Sequence, residues 1–272
     1  VKGMVWGMIK MLAGYLPLVY RGLRRPQEAL QIYERQAAAA VAECRQLRAD
    51  GRSFDELAQE CLARFQGLMS TIVSVMVPPM LARWRLGRLF RKDEVRDLLV
   101  ALEMALEGNP TSEMGHRMYE LASFPEVQST ADGEEFARKL ESRGYSTELM
   151  DAYESYLDKF GCRGIKEIDV ATPRCYEDLP AFFEQLRAID VTNDTIKTAK
   201  ERRSKAYDEL LAIAARKGKK ERFERLVRQH SMAGFREAPK YFFIITVDLL
   251  RRRALELGAR FVEEGRLESV NQ

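Results

Sequence analysis

Arg236, Glu237 and Lys240 are the residues whose types and spacing best suit chemistry, in the run Gly234-Phe235-Arg236-Glu237-Ala238-Pro239-Lys240-Tyr241. Proline is favoured in the first turn of a helix, and open N–H groups at a helix start attract anions. Arg236 and Lys240 are four apart, so on continuous helix they share one face. Two cations at a helix start oppose its dipole, and a phosphoryl group in transit would offset that cost. Glu237, between them, could act as a base on an acceptor hydroxyl. Phosphoryl transfer asks a protein mainly for positioning and charge neutralisation. The plainer alternative is a surface turn in which Glu237 bridges its neighbours.

A second cluster lies in Phe160-Gly161-Cys162-Arg163-Gly164-Ile165-Lys166-Glu167-Ile168-Asp169-Val170, continuing through Pro173-Arg174 to Glu177 and Pro180. Gly161 to Pro180 is the longest stretch without helical periodicity, and such loops often carry function. Arg163, Glu167, Asp169 and Arg174 place two cations and two acids in it. They could bind substrate; the preferred expectation is an ion-pair network that pins the loop against helices. A cationic run, Arg216-Lys217-Gly218-Lys219-Lys220 followed by Arg222, Arg225 and Arg228, could track a phosphate backbone. Glu201, Asp208, Glu209, Glu221 and Glu224 interleave with it, and mixed signs read as a solvated hairpin tip.

Other chemistries lack their signatures. There is no Walker loop, dinucleotide glycine fingerprint, HExxH or nucleophile elbow. Cys44, Cys61, Cys162 and Cys175 form no CxxC pair and read as reduced thiols. With His116 and His230 as the two histidines, neither near a cysteine, no metal site is expected. A net charge of +3 gives too weak a field to suggest nucleic acid. The apolar share of 46% and charged share of 31% suit a folded core under a charged helical surface rather than a disordered chain.

The elements that must position these residues read as helices. Pro26 followed by Glu28 opens a segment over Gln27 to Ala49, closed by Asp50-Gly51. Ser53 with Glu56 forms a capping box. The next helix carries Leu57, Cys61, Phe65, Leu68, Ile72 and Val75 on one stripe, until Pro78-Pro79 is expected to break it. Lys92 to Glu107 reads as amphipathic helix, closed by Gly108-Asn109-Pro110. Thr111 or Ser112 is expected to cap a helix to Ala122. Further helices are expected over Asp132 to Ser142, Thr147 to Phe160, Asn193 to Ala215, Lys219 to Met232 and Pro239 to Glu264. The fold class expected is all-α, an irregular multi-helix domain with long C-terminal helices.

Val1 to Tyr20 is apolar, but Lys2 and Lys10 interrupt it, leaving too short a run for a membrane span. A helix packed into the core or against another domain is the preferred reading. An interfacial helix, with Lys10, Arg21, Arg24 and Arg25 toward anionic lipid, is the alternative. The chain starts with Val, so an upstream region is expected.

The two chemistry-bearing segments together resemble the rifampin phosphotransferase family, relatives of phosphoenolpyruvate synthase. There a helical middle domain carries a stretch close to YGMRCPGEIDI..PRW.E.P and later one close to REYPKY. Arg163, Glu167, Ile168, Asp169, Pro173, Arg174, Glu177 and Pro180 match the first in order, and Arg236, Glu237, Pro239, Lys240 and Tyr241 match the second. Gly108 to Met114 and the closing Leu249 to Gly265 look like further landmarks. The resemblance covers roughly Gly108 to Gln272 and is faint over 1–108. Gly164-Ile165-Lys166 and Cys175 depart from the family pattern.

The resemblance implies a single helical acceptor-binding domain over 1–272, cut from a longer dikinase-like phosphotransferase. ATP would phosphorylate a histidine on a swivelling domain, and that histidine would phosphorylate a hydroxyl of a small molecule held here. Arg236, Glu237 and Lys240 would be the catalytic residues. ATP and Mg would bind a separate ATP-binding domain, with no cofactor bound by this chain. Neither His116 nor His230 sits in the carrier's Gly-Thr-Ser-His context, so the isolated chain is expected to transfer no phosphate from ATP. The expected partners are those two domains and the acceptor, with no nucleic acid and no membrane, in the cytoplasm. The Gln-Met-rich segment that walls the family's antibiotic pocket has no counterpart, so the acceptor's identity does not follow. The alternative is a catalytically idle helical scaffold or protein-interaction module on the same fold.

Overall fold

A computed structural model describes residues 14–90 and 95–270. Among the described residues every regular element is helical, so the all-α expectation is the fold observed. The helices are α1 (residues 14–24), α2 (Pro26–Ala49), α3 (Phe54–Leu89), α4 (Arg96–Leu102), α5 (Pro110–Ala122) and α6 (Pro125–Ser129). Then come α7 (Gly133–Glu141), α8 (Thr147–Phe160), α9 (Leu179–Arg187), α10 (Thr195–Arg216) and α11 (Lys220–His230). A 3-10 segment, Ser231–Glu237, leads into α12 (Ala238–Glu263). The expectations for 1–13 lie outside the described residues.

Local signals explain most boundaries. Ser53 and Glu56 exchange the two hydrogen bonds of a capping box, 3.3 and 3.1 Å, at the head of α3. Asp132 caps α7 by accepting from the Glu135 N–H, and Ser146 caps α8 by accepting from Leu149. Asn109, rather than Thr111 or Ser112, caps α5: its side chain accepts from the N–H of Thr111 at 2.9 Å and of Ser112 at 3.2 Å, and Pro110 is the first helical residue.

Three expectations differ from the fold. α3 runs through Pro78 and Pro79 to Leu89. Each proline removes one ladder donor, but Ile72 and Val75 before them and Ala82 and Leu86 after them are buried, so packing on both sides holds the helix together. The segment expected as helix over Lys92 to Glu107 is helical only over Arg96–Leu102, with 92–94 outside the described residues. After it the chain turns, with positive φ at Ala105 and Gly108. α9 begins within the segment expected to stay irregular as far as Pro180: Asp178 accepts from the Ala181 N–H, and Pro180 sits in the first turn. By length and composition α3 could cross a bilayer, yet its buried stripe is what the core helix of a folded domain carries.

The described chain forms two compact units, each drawn from three stretches. Unit 1 takes residues up to Ala39, Gln66–Ser112 and Thr195–Pro239. Its core joins Ala82, Leu86 and Phe90 of the first half to Leu210, Ala214 and Phe223 of the α10–α11 hairpin. Unit 2 takes Ala40–Phe65, Glu113–Asp194 and the residues from Lys240 on. Its core is aromatic: Phe136 stacks on Phe183 with centroids 5.0 Å apart, and Tyr153, Tyr156 and Phe182 close around them.

Candidate functional site

In unit 1 the backbone stays helical from α11 through the 3-10 segment into α12. Ala238 donates its N–H to Phe235 O, and Pro239 has none to give. The open donors expected at a free helix start are therefore not offered at these two positions. Two glycines lock the 3-10 segment in place. A side chain at Gly234 would meet Glu107 O at 1.9 Å, and one at Gly108, with φ +77°, would meet the Phe235 ring at 2.2 Å. The turn after α4 thus lies directly on the segment that carries Arg236.

That segment borders a cavity of about 300 Å³. Val75, Met76, Met80, Leu106 and Met232 supply apolar wall; Arg83, Glu103, Asn109, Ser112, His230 and Arg236 supply polar groups. Arg236 is 72% exposed, and its Nε lies 3.2 Å from Glu237 Oε1. Glu237 itself does not line the cavity. Arg83 holds Glu103 at 2.7 Å, and His230 Nε2 lies 3.9 Å from the same carboxylate oxygen. Burial, with Arg203 and Arg83 nearby, pulls the His230 imidazole down to about 4, so it is neutral at pH 7.

In unit 2 the loop between α8 and α9 is tied to α12. Arg251 grips Glu177 with two hydrogen bonds, 2.7 and 2.6 Å, and donates through Nη1 to the carbonyls of Val170 and Ala171. Burial pushes the Glu177 carboxyl up, but the Arg251 hydrogen bonds and the Arg174 N–H outweigh it and leave it below its ordinary value. Asp248 accepts from the Tyr176 hydroxyl and from Arg252 Nε, both at 2.9 Å. Arg163 and Lys240 each approach Glu167 to 2.9 Å. Asp169 folds its own turn, accepting from the Ala171 N–H, while its carbonyl receives Arg174 Nη2 at 3.3 Å. Cys162 and Cys175 are buried, which pushes both thiols up to about 12.

The structure therefore sets Arg236 and Glu237 together in unit 1, and Arg163, Glu167, Asp169, Arg174 and Lys240 in unit 2. His230, Glu103 and Arg83 were not picked out by the sequence, because nothing in their spacing links them. Arg251 and Asp248 did leave a signal: charges inside the otherwise apolar face of α12, where burial demands partners. Among the described residues no group of three or more His, Cys, Asp and Glu could hold a metal ion.

The comparisons agree on one relationship. Residues 67–237 match the family model described as the rifampicin phosphotransferase fourth domain. A rifampicin phosphotransferase from a Streptomyces species is 27% identical over 182 residues, covering 60% of this chain and 21% of that relative. One from Streptomyces sviceus is 26% identical over 182 residues, with the same shares covered. The chain spans about a fifth of the length of these curated relatives. Since the family model covers more than half of it, the chain belongs to the rifampicin phosphotransferase fourth-domain family.

Proposed function

We propose that this chain is the acceptor-binding domain of a phosphotransferase, and that the unit 1 cavity holds a hydroxylated small molecule. The phosphoryl group would come from a phosphohistidine on another domain, itself charged from ATP. The observation that carries this reading is Arg236 on the wall of a cavity lined by methionine and aliphatic side chains. Small-molecule sites combine such apolar walls with a few convergent polar groups, and methionine adapts its shape to an irregular ligand. Asn109, Ser112 and neutral His230 offer hydrogen bonds to hydroxyls; Arg236, mostly exposed, has its guanidinium available to an incoming phosphoryl group. Glu237 steadies Arg236 from outside the cavity wall, and to serve as the base it must swing toward the acceptor hydroxyl. Lys240 belongs to unit 2, where it pairs with Glu167, and is not part of the proposed unit 1 site.

The reading is tested by titrating the purified chain with hydroxylated amphiphilic probes, rifampicin among them, by calorimetry. At least one probe should bind saturably, and Met76→Trp, which fills the cavity, should weaken it roughly tenfold or more. Absence of saturable binding by every probe, or binding indifferent to Met76→Trp, would leave the helical scaffold as the better description.

A further inference from the structure

A second cavity, of about 330 Å³, lies wholly within unit 2 beneath the α8–α9 loop. Arg163, Thr172, Arg174 and Cys175 of the loop line it, with Met118 of α5 and Gln185 of α9. The Arg174 side chain is 0% exposed, an environment in which a guanidinium needs a carboxylate or a full set of hydrogen bonds. It has neither. Nη2 donates to Asp169 O at 3.3 Å, but Nε and Nη1 find no hydrogen-bond partner among the described residues.

The shortage follows from how the carboxylates are shared. Asp248 comes within 3.8 Å of Arg174 Nε, yet its two oxygens are already taken by Tyr176 and Arg252. Both oxygens of Glu177 go to Arg251. Glu167 is shared by Arg163 and Lys240, and the Arg163 Nε–H is not aligned into a hydrogen bond despite the 2.9 Å separation. Each of these carboxylates serves a closer donor, so Arg174, at 3.8 Å from Asp248, is the most weakly paired of the cations around them. Asp178 also borders the cavity, but its Oδ1 caps α9 by accepting from Ala181 at 3.0 Å. A Cβ at Gly164 would meet Pro173 O at 2.7 Å and Arg174 Nη1 at 3.7 Å, so glycine lets the loop close down over Arg174.

We propose that this cavity binds a small oxyanion, a phosphate or carboxylate group, with Arg174 as its principal partner. Nη1 has under 1 Å² of open surface, so the charge-assisted hydrogen bond that supplies the attraction needs a small shift of the loop at Gly164. A water molecule takes roughly 30 Å³ in the liquid, so the space admits such a group together with several waters. The site is independent of the acceptor reading of unit 1 and stands or falls without it.

The test is calorimetry on the whole chain, titrating sodium phosphate and sodium acetate against sodium chloride at matched ionic strength. Saturable one-to-one binding of phosphate alone identifies a phosphate group; binding of both identifies a site that also takes carboxylates. Arg174→Gln should weaken either by roughly tenfold or more. Because a change at a buried arginine can unfold the unit, Met118→Trp provides a second variant. It fills the cavity, removes no charge and should abolish binding, whereas Lys219→Gln on the exposed hairpin should not alter it. Heats no larger than those of chloride through the millimolar range would mean that water alone completes Arg174 and would overturn the proposal. So would anion binding unchanged in folded Met118→Trp.

Discussion

His230 shows how a residue with no local motif acquires a definite chemical state. Its side chain is buried at the wall of the unit 1 cavity, and nearby Arg83 and Arg203 disfavour a second positive charge. Its folded pKa is about 4, against an unfolded value near 6.5. Between those values the unfolded chain binds the proton more readily. His230 therefore contributes nothing to pH dependence above about 6.5, costs stability as the pH falls from there to about 4, and adds no further loss below. The full effect is on the order of 3 kcal/mol. Urea midpoints measured across that range should fall steadily for the native chain and more shallowly for His230→Gln; equal slopes would show that another group governs the pH dependence. Arg236 was legible in the sequence through its spacing from Pro239 and Lys240 and through the resemblance of its segment to the family's. His230 was not, because its state is set by residues distant in the chain.

Among the elements, the turn after α4 and the 3-10 segment carry the proposed site, and their fit is a tight local constraint on it. Gly234→Ala would drive a methyl group into Glu107 O, at 1.9 Å without relaxation. Overpacking of this kind costs about 1–3 kcal/mol, so the variant should unfold at lower denaturant and bind the acceptor less well. Unchanged stability would show that the two segments are not held as described. The helices themselves were legible where apolar stripes and caps agreed, as at Ser53 with Glu56, Asp132 and Gly218, whose φ of +65° turns α10 into α11. They were misread where tertiary packing overrode a local rule. Pro78 and Pro79 break no helix because buried side chains hold it on both sides. The irregular loop was recognisable by composition, but its partners on α12 are far away in sequence, so which charges would pair could not be read from the loop alone.

For the whole molecule, periodicity gave the fold class but not the division into two units, since a stripe shows which face of a helix is buried and not what covers it. Family membership covers residues 67–237, and the chain corresponds to about a fifth of its curated relatives. The proposed role is accordingly one half-reaction, acceptance of a phosphoryl group, with charging of the carrier histidine assigned elsewhere. The most direct test follows label from [β-³²P]ATP in the full-length protein, comparing native Arg236 with Arg236→Ala, alongside Glu237→Gln. Losing one contact to transferring charge slows a reaction on the order of a hundredfold. The expected result for Arg236→Ala is a histidine labelled at the native rate and an acceptor labelled about a hundredfold more slowly. Acceptor phosphorylation at the native rate in the folded variant would contradict the assignment of Arg236 to the transfer step.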